Sequence, residues 1–245
     1  MEDIAEAREV RSPETMQNTK TKRSIFVDFE MQPVDHREHP DEWSIARHEI
    51  IEFGAVMLDE KLMEINQFQS YVKPKYSEEI QRTVEAMTGI TAETVKDAAD
   101  FSSVLDEFID WCFLEESDFN VYAWSGADKG QFTHEIALKE ITMTDKLSYI
   151  LSHWIDYQKI FTKAIGRKLA VSLDKAVDAC GLNFEGQMHD ALWDARNTSR
   201  LYRLTSDKEA FKEMAPKVKH VLDSNENFTT SLGDLIDMSG FNVPH

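Results

Sequence analysis

The chain carries a short apolar run, Ile25-Phe26-Val27-Asp28-Phe29-Glu30, with two acids embedded in it. β-branched and aromatic residues at this density predict a strand. Alternate residues of a strand share a face, so Asp28 and Glu30 stand side by side, roughly 6.5–7 Å apart along the chain. On a central strand, two like charges are costly unless a cation neutralises them or one carboxylate takes up a proton. A bound divalent cation is the simplest neutraliser. An edge strand with a solvated acidic face is the alternative that this run alone leaves open.

The rest of the chain sets that strand in an α/β pattern. His48–Leu58 reads as a second strand, Asp59-Glu60-Lys61 as a turn, and residues 62–72 as a third strand stopped by Pro74. Together they suggest an antiparallel meander, with residues 32–47 as a polar loop. Helical patterns follow at 78–87, stopped by Gly89, and at 101–114, where Phe101, Val104, Leu105, Phe108, Ile109 and Cys112 form one stripe. Residues 119–124 predict a fourth strand and 153–157 a short fifth. Helices are expected to open near Asp128 and to cover 172–180 and 190–205. Antiparallel strands followed by parallel ones joined by helices make a mixed sheet.

With 245 residues, 42% of them hydrophobic, the chain has apolar material for one good core. The expected division is a flexible arm over 1–22, a core domain over 23–205 and a helical appendage over 206–245. In the appendage, Pro216 is expected to interrupt a basic helix, and Ser231-Leu232-Gly233-Asp234 has a capping-box-like start. It is read as a helix docked on the domain or as a contact for a protein partner or a second copy. Cys112 and Cys180 fit neither a disulfide framework nor a zinc spacing, which points to a reducing, cytoplasmic setting. No stretch reaches the roughly 18 apolar residues of a membrane span. A formal net charge of −18 argues against coating long nucleic acid and is compatible with a cation-collecting site that grips a chain end.

Further acids complete a constellation. Asp128 follows the fourth strand at a helix start, where capping is the ordinary role of Asp. Asp194 shares the inward stripe of its helix with Ala191, Ala195, Thr198, Leu201 and Tyr202, so a carboxylate lies on a largely apolar face and needs a partner. His189 precedes it by five residues. Taken singly, it reads as a capping or surface residue.

Together, Asp28-Phe29-Glu30, Asp128 with Phe132 after it, and His189 to Asp194 in H-x4-D form resemble the DEDDh 3′–5′ exonucleases of the DnaQ-like superfamily. His48–Phe53, Phe68–Val72, Thr88–Thr91 and Asp194–Asn197 are similar to the Eri-type exoribonucleases, with KapD-like exonucleases also similar; the match covers about 24–205. The resemblance implies a ribonuclease-H-like mixed five-stranded sheet and two Mg²⁺ or Mn²⁺ ions held by Asp28, Glu30, Asp128 and Asp194. Asp28 would bridge both ions, and His189 would be the general base; histidine side chains ordinarily titrate near pH ~6.5, which suits that task. The expected substrate is the 3′ end of single-stranded RNA or a short overhang. DNA is the alternative within the class, and a regulatory partner-binding module is the alternative outside it. Met31 and Phe29 beside the acids, and Trp124, Trp193 and Arg196, are candidate substrate contacts, with core packing an open alternative for both tryptophans. Arg196, Arg200 and Arg203, with Lys163, Arg167 and Lys168, are candidate phosphate contacts or a solvated face.

Overall fold

The computed structural model describes residues 22–77, 79–114 and 118–235, with side chains to residue 224 at the C-terminal end. The expected arm over 1–22 and the end of the chain from 236 therefore lie outside the described residues, Lys22 excepted.

One mixed sheet forms the centre, in the order β3-β2-β1-β4-β5. β1 (Arg23–Pro33) lies in the middle, antiparallel to β2 (His48–Leu58) and parallel to β4 (Phe119–Ala123). β3 (Glu64–Tyr71) extends β2 antiparallel, and β5 (Trp154–Asp156) extends β4 parallel. The expected ribonuclease-H-like arrangement of antiparallel and then parallel strands is present. The central place of β1 also removes the edge-strand alternative for Asp28 and Glu30.

Strand alternation divides β1 between two cores. Ile25, Val27 and Phe29 point into a cluster completed by α4 (Phe101–Cys112) and α5 (Gly126–Leu138), with Phe53, Phe108 and Phe132 around Phe29. Phe26 points the other way, into a cluster with α7 (Tyr157–Ala164), α8 (Leu173–Ala179), α9 (Ala191–Ser206) and the first half of α10 (Lys208–Leu235). Asp28 and Glu30 follow Phe26 on that second face, beneath α9.

Several elements differ from the sequence reading. Residues 32–47 are not all loop: β1 continues to Pro33, and α1 (Pro40–Ile45) starts with proline in its first turn, followed by Asp41 and Glu42 where acids favour a helix start. α2 (Arg82–Thr88) starts later than expected and ends at Gly89, whose φ of 75° is the left-handed cap that glycine adopts readily. The short α3 (Ala92–Val95), α6 (Asp145–Ser152) and α7 had not been anticipated. Their signals were their caps: Thr91, Thr144 and Asp156 each accept a backbone N–H at the helix start. Pro216 does not interrupt α10, and Ser231 lies within that helix rather than at a start. Phe211, Ala215, Val218 and Leu222 of α10 are buried in the second core, so this half of the expected appendage is packed on the domain.

Gly54 of β2 pairs with Asp28 across the sheet. A Cβ there would stand 2.0 Å from the backbone carbonyl carbon of Ala191 and 2.1 Å from the nitrogen of Leu192. The absent side chain therefore lets the first turn of α9 lie directly on the sheet, with Ala191 and Ala195 fully buried beneath it. Gly54→Ala is expected to push α9 away at a cost of about 1–3 kcal/mol, lowering the Tm by several degrees in thermal unfolding. An unchanged Tm would contradict this account of how α9 is placed.

Candidate metal centre

The site is assembled by three elements meeting over the middle of the sheet: β1 supplies Asp28 and Glu30, the start of α5 supplies Asp128, and α9 with the turn before it supplies His189 and Asp194. A register shift between Glu30 and Met31 marks a bulge in the β1–β2 pairing just past the acids. Such bulges re-aim side chains beside functional sites.

Asp128 is the third residue of α5, whose Ser125 cap accepts the Ala127 N–H at 3.1 Å. The Ser125 hydroxyl hydrogen-bonds the Asp128 carboxylate at 3.3 Å. At 6% exposure, burial outweighs these favourable bonds and pushes Asp128 up to about 6.

The H-x4-D spacing has a local cause. His189 takes a left-handed φ of 63°, a conformation that His adopts more readily than most residues. The chain turns there, Asp190 caps α9 by accepting the Leu192 and Trp193 N–H groups, and the backbone N–H of His189 bonds the Asp194 carboxylate one helical turn further on. The imidazole is left 51% exposed, with Nδ1 3.9 Å from Glu30 Oε1. Glu30, His189 and Asp194 each present a ligand atom within 4.8 Å of the other two.

These acids perturb one another. Burial comes first in every case. It raises Asp28 well above the carboxylate range, with Asp128, Asp194 and Glu30 pushing the same way. Glu30 is raised to about 8 by burial and then by Asp194 and Glu52. Asp194 is raised to about 7, chiefly by burial, with Asp190 and Asp128 adding to the effect. Its buried Oδ1 has no hydrogen-bond partner. Clustered acids with an unpartnered carboxylate oxygen are a donor set that fits a hard divalent cation.

One acid at this site had not been singled out from the sequence. Glu52, 1% exposed, lies directly across from Glu30 on β2. Its carboxylate accepts the Ala191 N–H at 3.3 Å and the Gln69 amide at 2.8 Å, so it ties β2 and β3 to the first residue of α9. An acid inside the apolar run His48–Leu58 was its sequence signal.

The candidate substrate contacts separate. Met31 is half-buried beside the bulge. Phe29 and Trp124 are core residues: Phe29 sits among aromatic rings, and the Trp124 indole N–H bonds the Val171 carbonyl at 3.0 Å. Neither presents a face to a base. Trp193 packs over Gly186, where a Cβ would stand 2.1 Å from its ring, and carries the Arg196 guanidinium 4.8 Å above it. Arg196 is 16% exposed and bonds Glu64 at 2.7 Å and Gln67 at 2.6 Å, which fastens α9 to β3. Arg200 bonds Glu185 and the Asn183 carbonyl, and Arg167 bonds Asp223. Three of the basic groups expected to be available for phosphate are therefore engaged within the protein.

The family model described as Exonuclease (RNase_T) matches residues 25–202. Human 3′–5′ exoribonuclease 1 is 30% identical over 162 residues, covering 63% of this chain and 45% of that protein. The Drosophila melanogaster 3′–5′ exonuclease Snipper is 26% identical over 221 residues, covering 79% and 76%. The chain thus spans less than half the length of its human relative. The nuclease domain of 3′hExo, a DEDDh family member bound to rAMP, superposes with a TM-score of 0.65 at 24% identity, over 77% of this chain and 94% of that one.

The raised carboxylates fix a pH dependence. In the metal-free protein, the unfolded acids lose their protons near pH 4 while the folded ones hold theirs to about 6–8. The unfolded state binds fewer protons across that window, so metal-free stability falls as pH rises from about 4 to 8. A divalent metal held by the ionised acids would reverse the loss. The Tm gain on adding Mn²⁺ is expected to be larger at pH 8 than at pH 6; a gain independent of pH would contradict it.

Proposed function

The chain belongs to the Exonuclease (RNase_T) family, one of divalent-metal-dependent nucleases, and on that premise we propose that it is a 3′–5′ exonuclease releasing 5′-mononucleotides from single-stranded RNA or short 3′ overhangs. The observation that carries the proposal is the crowding of Asp28, Glu30, Asp128 and Asp194 with an unpartnered buried oxygen on Asp194. The names of the exoribonuclease relatives support RNA as the substrate. No helix among the described residues is long and apolar enough to cross a membrane.

In this reading, Asp28, Glu30, Asp128 and Asp194 hold two Mg²⁺ or Mn²⁺ ions. When bound, those ions neutralise the charge that builds on the phosphate and lower the pKa of the attacking water. The chain's own groups do the rest. Asp28, on the central strand, is felt by Asp128 and Asp194 from both helices and would serve both ions. Glu30 and Asp194 lie together with His189. His189, exposed and held in place by its backbone bond to Asp194, takes the proton from the attacking water and returns it to solvent. Met31 is the side chain next to Glu30 that is partly open, and in this reading it abuts the terminal base. Glu52 acts through α9, holding Asp194 at its height over β1.

A time course on 5′-labelled, 3′-tailed RNA and the matching DNA tests this, with Mn²⁺ or EDTA. The expected result is a metal-dependent ladder shortening from the 3′ end, faster on RNA and abolished by Asp28→Ala. His189→Ala is expected to lower turnover about 10²–10⁴-fold while leaving Mn²⁺ binding intact. Degradation of neither strand by the wild-type protein would overturn the reading, and wild-type turnover in His189→Ala would remove that residue from the base role.

A further inference from the structure

The segment between β1 and β2 is longer than a strand connection requires. It leaves β1 at Pro33, three residues past Glu30, and re-enters β2 at His48, the residue paired with Pro33. It therefore begins about 10 Å along β1 from Glu30. A cleft of about 580 Å³ opens between this segment and residues 76–77 and 79–82. Its floor is built rather than loose. Buried Gln32 donates to the Glu79 carbonyl at 3.0 Å and accepts the Gln81 N–H at 3.1 Å, and the Ser77 hydroxyl donates to the Pro33 carbonyl at 2.7 Å. The cleft thus runs outward from the strand that carries the acids.

Arg37 and Arg82 line it, and both are exposed. His36 links it to a stack at its edge: the His36 ring is 5.7 Å from that of half-buried Trp43, and the exposed Arg47 guanidinium lies 3.5 Å over the Trp43 ring. Among the described residues, none of these three arginines is in a salt bridge, whereas Arg167, Arg196 and Arg200 are. The cleft also holds acids. Asp35 is turned onto its own loop, accepting the Arg37 and Glu38 N–H groups at 2.8 and 3.4 Å, while Glu38 and Glu79 remain. In a chain of net charge −18, three guanidinium groups in no salt bridge at one cleft and its edge are unusual, and a guanidinium laid on an indole offers a flat cationic face for a base.

We propose that this cleft and the Trp43–Arg47 stack form the track for the nucleotides upstream of the one being removed, with Arg37 and Arg82 on phosphates and Arg47 under a base. The proposal rests on the exonuclease reading and deepens it, since it assigns the grip on a single strand to the β1–β2 segment rather than to the arginines of α9.

The test uses a 5′-fluorescein 12-mer of RNA and the full chain, with Ca²⁺ in place of the catalytic metal, read by fluorescence anisotropy. The variants are Arg37→Ala/Arg82→Ala, Arg47→Ala and Trp43→Phe, all checked for an unchanged circular dichroism spectrum and Tm. Arg47→Ala is expected to raise Kd about 10-fold. The double variant is expected to flatten the slope of log Kd against log salt by about 0.7 for each phosphate that the protein no longer neutralises. Trp43→Phe keeps a ring under Arg47, so its Kd is expected to stay closer to wild type than that of Arg47→Ala. With Mn²⁺, the same losses are expected in KM for the 12-mer, with kcat little changed. Kd and salt slope at wild-type values in both arginine variants would overturn the proposal. Hydrolysis of the p-nitrophenyl ester of uridine 5′-monophosphate by the wild-type protein reads the metal centre alone. Failure there, with the variants still losing affinity for the 12-mer, would overturn the exonuclease reading and leave the track standing.

Discussion

The chemistry of this site follows from crowding like charges at a largely buried position, where burial and the neighbouring acids both disfavour ionisation. Asp28 and Glu30 share one face of the central strand, and Glu52, Asp128 and Asp194 are brought against them. The largest influences on these acids are burial and one another, whereas the buried acids Glu49 and Glu135 have Lys139 between them. The contrast fits the proposal that an exchangeable cation neutralises these acids.

Such a cluster persists only if the surrounding scaffold is stiff enough to hold it. Phe29 anchors β1 between the two acids, among the rings of Phe53, Phe132 and Trp154. On the other face, α9 is fixed at its start by contact with Gly54 and by the Glu52 bond, and further along by the Arg196 clamp onto β3. The helix that carries Asp194 is thus held at both the depth and the rotation that aim its carboxylate at β1. The left-handed backbone at His189 belongs to the same device, since it folds the imidazole and the His189 N–H toward Asp194 together.

Much of this was legible in the sequence, because strand and helix periods directly report which side chains share a face. The β2 bounds, the stripe of α4, the mixed character of the sheet and the inward position of Asp194 were all readable from period and spacing. What was missed depended on contacts between distant segments. Gly54 looks like any strand glycine until α9 lies on it. Glu52 is one acid among several until the register places it across from Glu30. Phe29 and Trp124 have the aromatic character of base-stacking residues, and only the packing assigns them to the cores. Arg196 looked available until Glu64 and Gln67 were found on either side of its fork. The β1–β2 segment read as polar loop because α1 is short and its proline start resembles a turn.

The central claim is that the clustered acids are a cation site held protonated until the cation arrives. Titration of Mn²⁺ into the metal-free protein at pH 7, followed by calorimetry in two buffers of different ionisation enthalpy, tests it most directly. With Glu30 raised to about 8 and Asp194 to about 7, metal binding is predicted to release about one proton or more per protein, and the release is predicted to shrink toward pH 9. Mn²⁺ binding with no proton release at pH 7, or no binding at all, would contradict the account.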